Sequence, residues 1–108
     1  MKRKTIRSHR DFLTTADDKV VINHFFITKM KKMAKKDPRY GVIASKRTFK
    51  IAVQRNRAKR LLRDWVAFNE DLMLPNMDYI FIARDAILEC SREVGRRKVK
   101  NALKKVSK

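Results

Sequence analysis

The chain has 108 residues, of which 29 are Lys or Arg and 11 are Asp or Glu, so its net charge is +18. This length allows one domain with a modest core, and the charge favours a polyanionic partner, either nucleic acid or an anionic membrane surface. The single cysteine, Cys90, excludes an internal disulfide and a cysteine-cluster zinc site. No apolar run reaches the roughly 18 residues that a transmembrane helix needs. These features predict a cytoplasmic protein.

The N-terminal residues are basic and lead into a segment with a helix start signal. Residues 1–7 are predicted to form a flexible basic arm, and residues 8–108 are predicted to form a single domain. Ser8 is suited to the N-cap position and Asp11 follows three residues later, so a short helix that contains Phe12 is expected here.

Two strands are predicted between this helix and the middle of the chain. Residues 20–30 are rich in β-branched and aromatic side chains, which predicts one long strand. A second strand is predicted from Tyr40 to Lys46, and residues 31–39 between the two strands form a basic loop. The simplest arrangement is an antiparallel pair across that loop.

The segment from Ile51 to Leu72 contains no Pro or Gly and has the hydrophobic period of a helix. At about 100° per residue, its cationic and apolar residues fall on opposite faces. A solvated helix face normally mixes both signs of charge, but Asp64 is the one acid in the first four turns, so a polyanion-binding face is favoured over a merely soluble one. The cationic face comprises Arg55, Asn56, Lys59, Arg60 and Arg63. The apolar face comprises Ala58, Leu61, Trp65, Phe68 and Leu72, with Leu62 and Val66 at the border.

The C-terminal part is predicted to contain a third strand and a final helix. The strand covers residues 78–84, and Ser91 is expected to cap a helix that runs to about Val106. Gly95 costs that helix roughly 1 kcal/mol relative to Ala, so its first turns are expected to fray. The order helix, strand, strand, helix, strand, helix predicts an α+β fold with helices packed on one small sheet.

The sequence contains no recognisable catalytic constellation. His9 and His24 are isolated from each other, and two glycines are too few for a glycine-rich phosphate loop. Aromatic residues beside Lys46 and Arg47 would suit unpaired bases, which predicts a second nucleic-acid surface on the sheet. Helix-turn-helix DNA binding fits less well because strands flank the basic helix, and a membrane surface fits less well because the apolar side of that helix is needed in the core.

The nine residues from Arg55 to Arg63 resemble the signature helix of the bacterial ribonuclease P protein subunits, Arg-Asn-Arg-x-Lys-Arg-x-x-Arg. Arg10–Phe12, Gly41–Arg47 and Asp78–Arg84 are similar to further parts of that family in the same order, and the resemblance covers residues 7–106. It implies a two-layer α+β sandwich like that of a ribosomal protein, with α-β-β-α-β-α order. It also implies a left-handed β-α-β crossover, contrary to the general right-handed rule.

The resemblance implies an accessory subunit of ribonuclease P, with the hydrolysis of precursor tRNA at its 5′ end carried out by a partner RNA and its magnesium ions. The protein itself would have no catalytic residue, bind no cofactor or metal, and act as a monomer with one copy per RNA. The alternative is a structural RNA-binding protein of the ribosomal type without a processing role.

The resemblance implies two binding surfaces, assigned to the positions of this sequence that match the family's motifs. The signature helix would bind the catalytic RNA, and a cleft between the sheet and the first helix would bind the single-stranded 5′ leader of precursor tRNA. The catalytic-RNA surface comprises Arg55, Asn56, Arg57, Lys59, Arg60 and Arg63. The leader cleft comprises Phe12, Ser45, Lys46, Arg47 and Arg84.

Overall fold

The computed structural model describes the backbone of residues 4–5 together with residues 18–32 and 39–107. The predicted first helix and its Phe12 lie outside the described residues. The strands are β1 (Lys4–Thr5), β2 (Lys19–Ile22), β3 (Phe26–Lys32), β4 (Arg39–Ile43) and β5 (Met77–Ala83). The helices are α1 (Ala52–Phe68) and α2 (Arg92–Val106), with short 3-10 helices at Glu70–Leu72 and Asp85–Glu89.

The described strands form one mixed sheet in the order β1-β4-β5-β3-β2. β4 is parallel to β5, whereas β3 is antiparallel to β5 and β2 is antiparallel to β3. The prediction that the strands on either side of the basic loop pair with each other is therefore wrong, because β5 lies between β3 and β4. The reason is burial: Tyr79, Ile80 and Phe81 of β5 are fully buried, and a strand buried on both faces takes the centre of a sheet.

The segment predicted as one long strand over residues 20–30 is a hairpin. The side-chain Oδ1 of Asn23 accepts hydrogen bonds from the backbone N–H groups of Phe25 (2.8 Å) and Phe26 (3.0 Å). The backbone N–H of Asn23 also donates to the carbonyl oxygen of Phe26 (3.1 Å). This local turn chemistry interrupts a run whose composition alone indicates a continuous strand, so the prediction is corrected to two paired strands.

At the other edge of the sheet, β1 pairs in parallel with the start of β4. Lys4 lies opposite Arg39, and Thr5 lies opposite Tyr40. Both β1 residues belong to the predicted basic arm, residues 1–7, which thus contributes a short edge strand at this point.

Helix α1 packs on the sheet through a stripe that shares Ala58 and Trp65 with the predicted one but is shifted toward Leu62 and Val66. Leu62 and Val66, predicted at the border, are fully buried, whereas Phe68 is 63% exposed and Leu72 is 37% exposed. The segment contains two overlapping apolar stripes, and packing against β5 and α2 selects the stripe centred on Leu62. The buried residues of α1 are Ala58, Leu62, Trp65 and Val66.

The predicted helix over residues 51–72 ends at Phe68 because Asn69 terminates it. The Nδ2 of Asn69 donates hydrogen bonds to the carbonyl oxygens of Trp65 and Arg96, both at 2.9 Å. One side chain therefore caps the end of α1 and ties it to α2.

Helix α2 begins as predicted, with the Ser91 hydroxyl accepting a hydrogen bond from the backbone N–H of Val94 at 3.3 Å. Gly95 is buried in the interface with α1, where an added Cβ would overlap the indole ring of Trp65. The helix is continuous through Gly95, so the expected fraying of its first turns is not observed. Close packing against Trp65 offsets the low helix propensity of glycine.

Candidate nucleic-acid interface

The turn between β4 and α1 presents two cations at its tip. The Ser45 hydroxyl donates to the Thr48 hydroxyl (3.0 Å) and accepts from the Thr48 backbone N–H (3.2 Å). These bonds close the turn and leave Lys46 and Arg47 exposed. The predicted strand to Lys46 therefore ends at Ile43, because side-chain hydroxyl bonds replace the strand ladder at Ser45.

The start of α1 is held by an arginine of the signature. Ile51 provides no side-chain cap, and the Nη1 of Arg55 instead donates to the carbonyl oxygens of Phe49 (2.8 Å) and Lys50 (3.3 Å). Phe49 itself is 2% exposed and anchors the turn in the core. Arg55 therefore has a structural role, and its remaining N–H groups are still available to an anion.

The other signature residues lie on the accessible sides of α1. The buried stripe of α1 is centred on Leu62. On a helical wheel with about 100° per residue, the centre of the predicted cationic face lies about 110° around the helix from that stripe. The cationic face is therefore directed to the side of the helix and not directly away from the core. Asn56, Arg57, Arg60 and Arg63 are exposed, and Lys59 is half-buried. The structure thus keeps this set together as one accessible basic surface.

The parallel register of β4 and β5 brings the predicted leader-binding residues to one edge of the sheet. Ile43 lies opposite Ile82, so Ser45 and Arg84 follow the two strands at the same edge. The Nη1 of Arg84 donates to the carbonyl oxygen of Asn23 (3.0 Å), which joins this edge to the hairpin between β2 and β3. Ser45, Lys46, Arg47 and Arg84 are therefore neighbours by topology, whereas Phe12 lies outside the described residues.

The sheet face turned away from α1 and α2 is largely apolar next to this edge. Ile80 is fully buried but does not belong to the main core cluster, so it points to this second face. The strand registers place a row of isoleucines across four strands on the same face, and Gly41 lies opposite Ile80 without a side chain. The row consists of Ile22, Ile27, Ile82 and Ile43.

Sequence reasoning missed the contribution of α2 to the basic surface. Arg92, at the start of α2, lines a groove of about 600 Å³ together with Arg57 and Arg60 of α1. The signal in the sequence was the set of basic residues that follow Ser91, which include Arg92, Arg96 and Arg97. The structure extends the signature surface onto the second helix.

The described residues contain no assembled metal site or activated nucleophile. Within residues 18–32 and 39–107, no three His, Cys, Asp or Glu side chains come close enough to hold a metal ion. In those same ranges no helix has the length and apolar character needed to cross a bilayer. Burial raises the pKa of the Cys90 thiol, opposed by the charge of Lys98, so Cys90 stays protonated at neutral pH.

Comparison of the sequence with known proteins identifies one family. The family model described as Ribonuclease P matches residues 1–107. The ribonuclease P protein component of Lactobacillus delbrueckii subsp. bulgaricus is 33% identical over 85 residues, which cover 77% of this chain and 70% of that protein. The ribonuclease P protein component of Pseudomonas entomophila is 44% identical over 52 residues, 48% of this chain. That match spans 38% of the length of the Pseudomonas protein.

Solved structures agree with this result over nearly the whole chain. The RNase P protein of Thermotoga maritima superimposes with a TM-score of 0.78 at 25% identity, covering 96% of this chain and 98% of that chain. The RNase P protein of Staphylococcus aureus superimposes with a TM-score of 0.77 at 25% identity, covering 95% of this chain and 94% of that chain.

Proposed function

The chain belongs to the Ribonuclease P protein family, and from this premise we propose that it is the accessory protein subunit of ribonuclease P. In this role it binds a catalytic RNA and the single-stranded 5′ leader of precursor tRNA, and it aids endonucleolytic removal of that leader. The observation that carries the proposal is the presence of exposed basic residues both on α1 and at the edge of the sheet.

The signature surface of α1 is suited to the dense phosphates of a folded RNA. Arg57, Arg60 and Arg63 are exposed on one helix, and a guanidinium group can bind a phosphate through two parallel hydrogen bonds. Arg92 adds a further guanidinium group from α2. Binding here would fix the position of the protein on the catalytic RNA without reading base sequence.

The second surface is suited to a flexible single strand. Lys46 and Arg47 project from a turn closed by Ser45, and Arg84 follows the neighbouring strand at the same edge. The adjacent isoleucine row offers apolar surface for bases. Phe12 is proposed to complete this leader cleft.

The proposed mechanism gives the protein binding roles and leaves bond cleavage to the RNA. Magnesium ions held by the RNA would supply the metal chemistry of phosphodiester hydrolysis. Cations at the leader cleft would neutralise leader phosphates, which only the precursor possesses, so the protein would favour substrate over mature tRNA. We further propose that the protein acts in the cytoplasm as a monomer, with one copy per RNA.

Reconstitution tests this function. The protein is added to the cognate catalytic RNA at low magnesium concentration, and cleavage of precursor tRNA is followed with and without protein. Stimulation of cleavage is expected, together with no cleavage by the protein alone. RNA binding without stimulation would support the alternative of a structural RNA-binding protein of the ribosomal type, and cleavage by the RNA-free protein would indicate an autonomous nuclease.

A further inference from the structure

A second groove between α1 and α2, distinct from the one lined by Arg57, Arg60 and Arg92, contains an exposed aromatic residue. Phe68, the last residue of α1, is 63% exposed, whereas Phe26, Phe49 and Phe81 are each at most 2% exposed. A single exposed apolar side chain is ordinary on a protein surface. Phe68 differs from such a residue because a guanidinium group stacks on its ring and basic side chains line the groove around it.

Arg96 of α2 holds the Phe68 ring in a fixed position. Its guanidinium carbon lies 4.1 Å from the ring centroid, and its Nη2 donates to the Oδ1 of Asp64 at 3.2 Å. The carbonyl oxygen of Arg96 accepts the hydrogen bond from Asn69 that ties the two helices together. One ring face is thus covered by a guanidinium group, and the exposure of the residue leaves the rest of the ring accessible. A ring held in place in this way loses little conformational entropy when a ligand stacks on it.

The groove around Phe68 combines this flat ring with uncompensated positive charge. Its volume is about 340 Å³. Among the residues that the structure describes, Arg97 and Lys100 form no ion pair, and Glu93 is the one acidic residue of the lining. Aromatic rings stack on bases and nearby cations bind the backbone phosphates, so this combination is typical of sites for unpaired nucleotides. The lining consists of Phe68, Asn69, Glu93, Arg96, Arg97 and Lys100.

We propose that this groove, the Phe68 groove, binds an unpaired nucleotide of the catalytic RNA. The base would stack on the Phe68 ring, and the phosphate would bind Arg97 and Lys100. The inference rests on the proposed function for the identity of the RNA, and the position of the groove on the same helix as the signature surface supports that assignment. Arg57 and Phe68 lie on the same side of α1, and Arg60 is about 12 Å from Phe68 along the helix at 1.5 Å per residue.

Substitution of the aromatic ring tests the proposal. Phe68→Leu keeps an apolar side chain but removes the π surface, and it is expected to weaken binding of the full-length protein to the catalytic RNA about tenfold, within the range measured for base–aromatic stacking. Phe68→Tyr should retain the wild-type affinity. Leu72→Ala removes a partly exposed apolar side chain outside the groove and should leave the affinity unchanged.

The charge requirement is tested with a matched pair on α2. Arg97→Gln and Lys105→Gln each remove one exposed cation, and only Arg97→Gln is expected to weaken RNA binding, by several-fold. Equal affinities for wild type and Phe68→Leu, with unchanged melting temperatures, would overturn the proposal, as would equal losses from the two charge variants.

A separate measurement distinguishes failure of this proposal from failure of the proposed function. A short oligouridylate is titrated into the free protein while the Phe68 ring protons are followed by NMR. Stacking predicts upfield shifts of these protons that Phe68→Leu abolishes, whereas unchanged ring resonances contradict the groove as a nucleotide site. The outcome is independent of whether the protein stimulates precursor cleavage.

Discussion

The contact between Gly95 and Trp65 determines how closely the two helices approach. Trp65 is fully buried, and its indole ring occupies the space that any side chain at position 95 would need. Asn69 then fixes the neighbouring turn of α1 to the carbonyl oxygen of Arg96. These contacts set the shape of the two grooves between the helices, one lined by Arg92 and the other, the proposed nucleotide site, lined by Phe68.

Gly95→Ala is expected to destabilise the protein by about 1–3 kcal/mol, the usual cost of overpacking a core. Helix propensity alone predicts the opposite sign, a gain of about 1 kcal/mol. Urea unfolding followed by circular dichroism distinguishes the two. Asn101→Ala on an exposed position of α2 is the matched control and should be slightly stabilising, while a more stable Gly95→Ala would show that the Trp65 ring moves aside at no cost.

The double substitution Lys46→Ala/Arg47→Ala is expected to weaken the binding of precursor tRNA to the reconstituted holoenzyme several-fold. Binding of mature tRNA, which lacks the leader, should be nearly unchanged because both side chains are proposed to contact leader phosphates. Affinities for the two RNAs are measured side by side. Lys104→Ala/Lys105→Ala removes the same charge from α2 as a control, and equal losses for precursor and mature tRNA would rule out the leader cleft.

At the scale of elements, the orientation of α1 on the sheet decides which of its residues are accessible to a partner. Burial of Leu62 turns the arginines of the signature toward the side and the exterior of the molecule. The same rotation exposes Phe68, which the sequence pattern assigned to the core. One helix therefore presents both the basic surface proposed to bind phosphates and an aromatic ring to the outside.

Arg60→Ala and Arg63→Ala are expected to reduce the salt dependence of binding to the catalytic RNA. Removing one arginine–phosphate interaction should make the slope of log K against log salt shallower by about 0.9, because fewer counterions are released. Filter binding over a series of salt concentrations gives the slope. Lys46→Ala/Arg47→Ala serves as the comparison with little effect on this RNA, and an unchanged slope in the Arg60 and Arg63 variants would place the catalytic RNA elsewhere.

At the scale of the whole molecule, the net charge of +18 opposes compaction in the absence of a polyanion. Ion pairs among the described residues include Arg39 with Asp78 at 2.7 Å and Arg96 with Asp64 at 3.2 Å. Neither of these two involves the signature arginines. These two pairs therefore leave the repulsion within that surface unrelieved, and a bound anion is expected to reduce it.

Sulfate is expected to raise the melting temperature relative to chloride at matched ionic strength, because an anion that binds only the folded state stabilises it by mass action. Sulfate also strengthens apolar burial in any protein. The Arg60→Ala/Arg63→Ala variant separates the two effects, since it should lose part of the gain that depends on bound anions. Coincident melting curves in the two salts would exclude anion-dependent stability.

The family and the α+β class could be read from the sequence, and the similarity to known proteins confirms both. The binding of a polyanion by the signature helix stays a prediction. These features are local: the spacing of Arg55 to Arg63 and the period of the surrounding helix lie within a few turns of one segment. Ser91 as the cap of α2 was equally predictable, because its bond reaches only to Val94.

Tertiary structure alone decided the order of the strands, the rotation of α1 and the shape of the two grooves between the helices. β5 separates β3 from β4 because its burial on both faces outweighs the advantage of a short connection between sequence neighbours. Leu62 is fully buried and Leu61 only partly buried because α2 and β5 contact α1 together. Gly95 contacts Trp65 and Phe68 contacts Arg96, and each partner is about 30 positions away in the sequence. A local sequence pattern cannot predict such contacts, because their free energy depends on how the two helices pack.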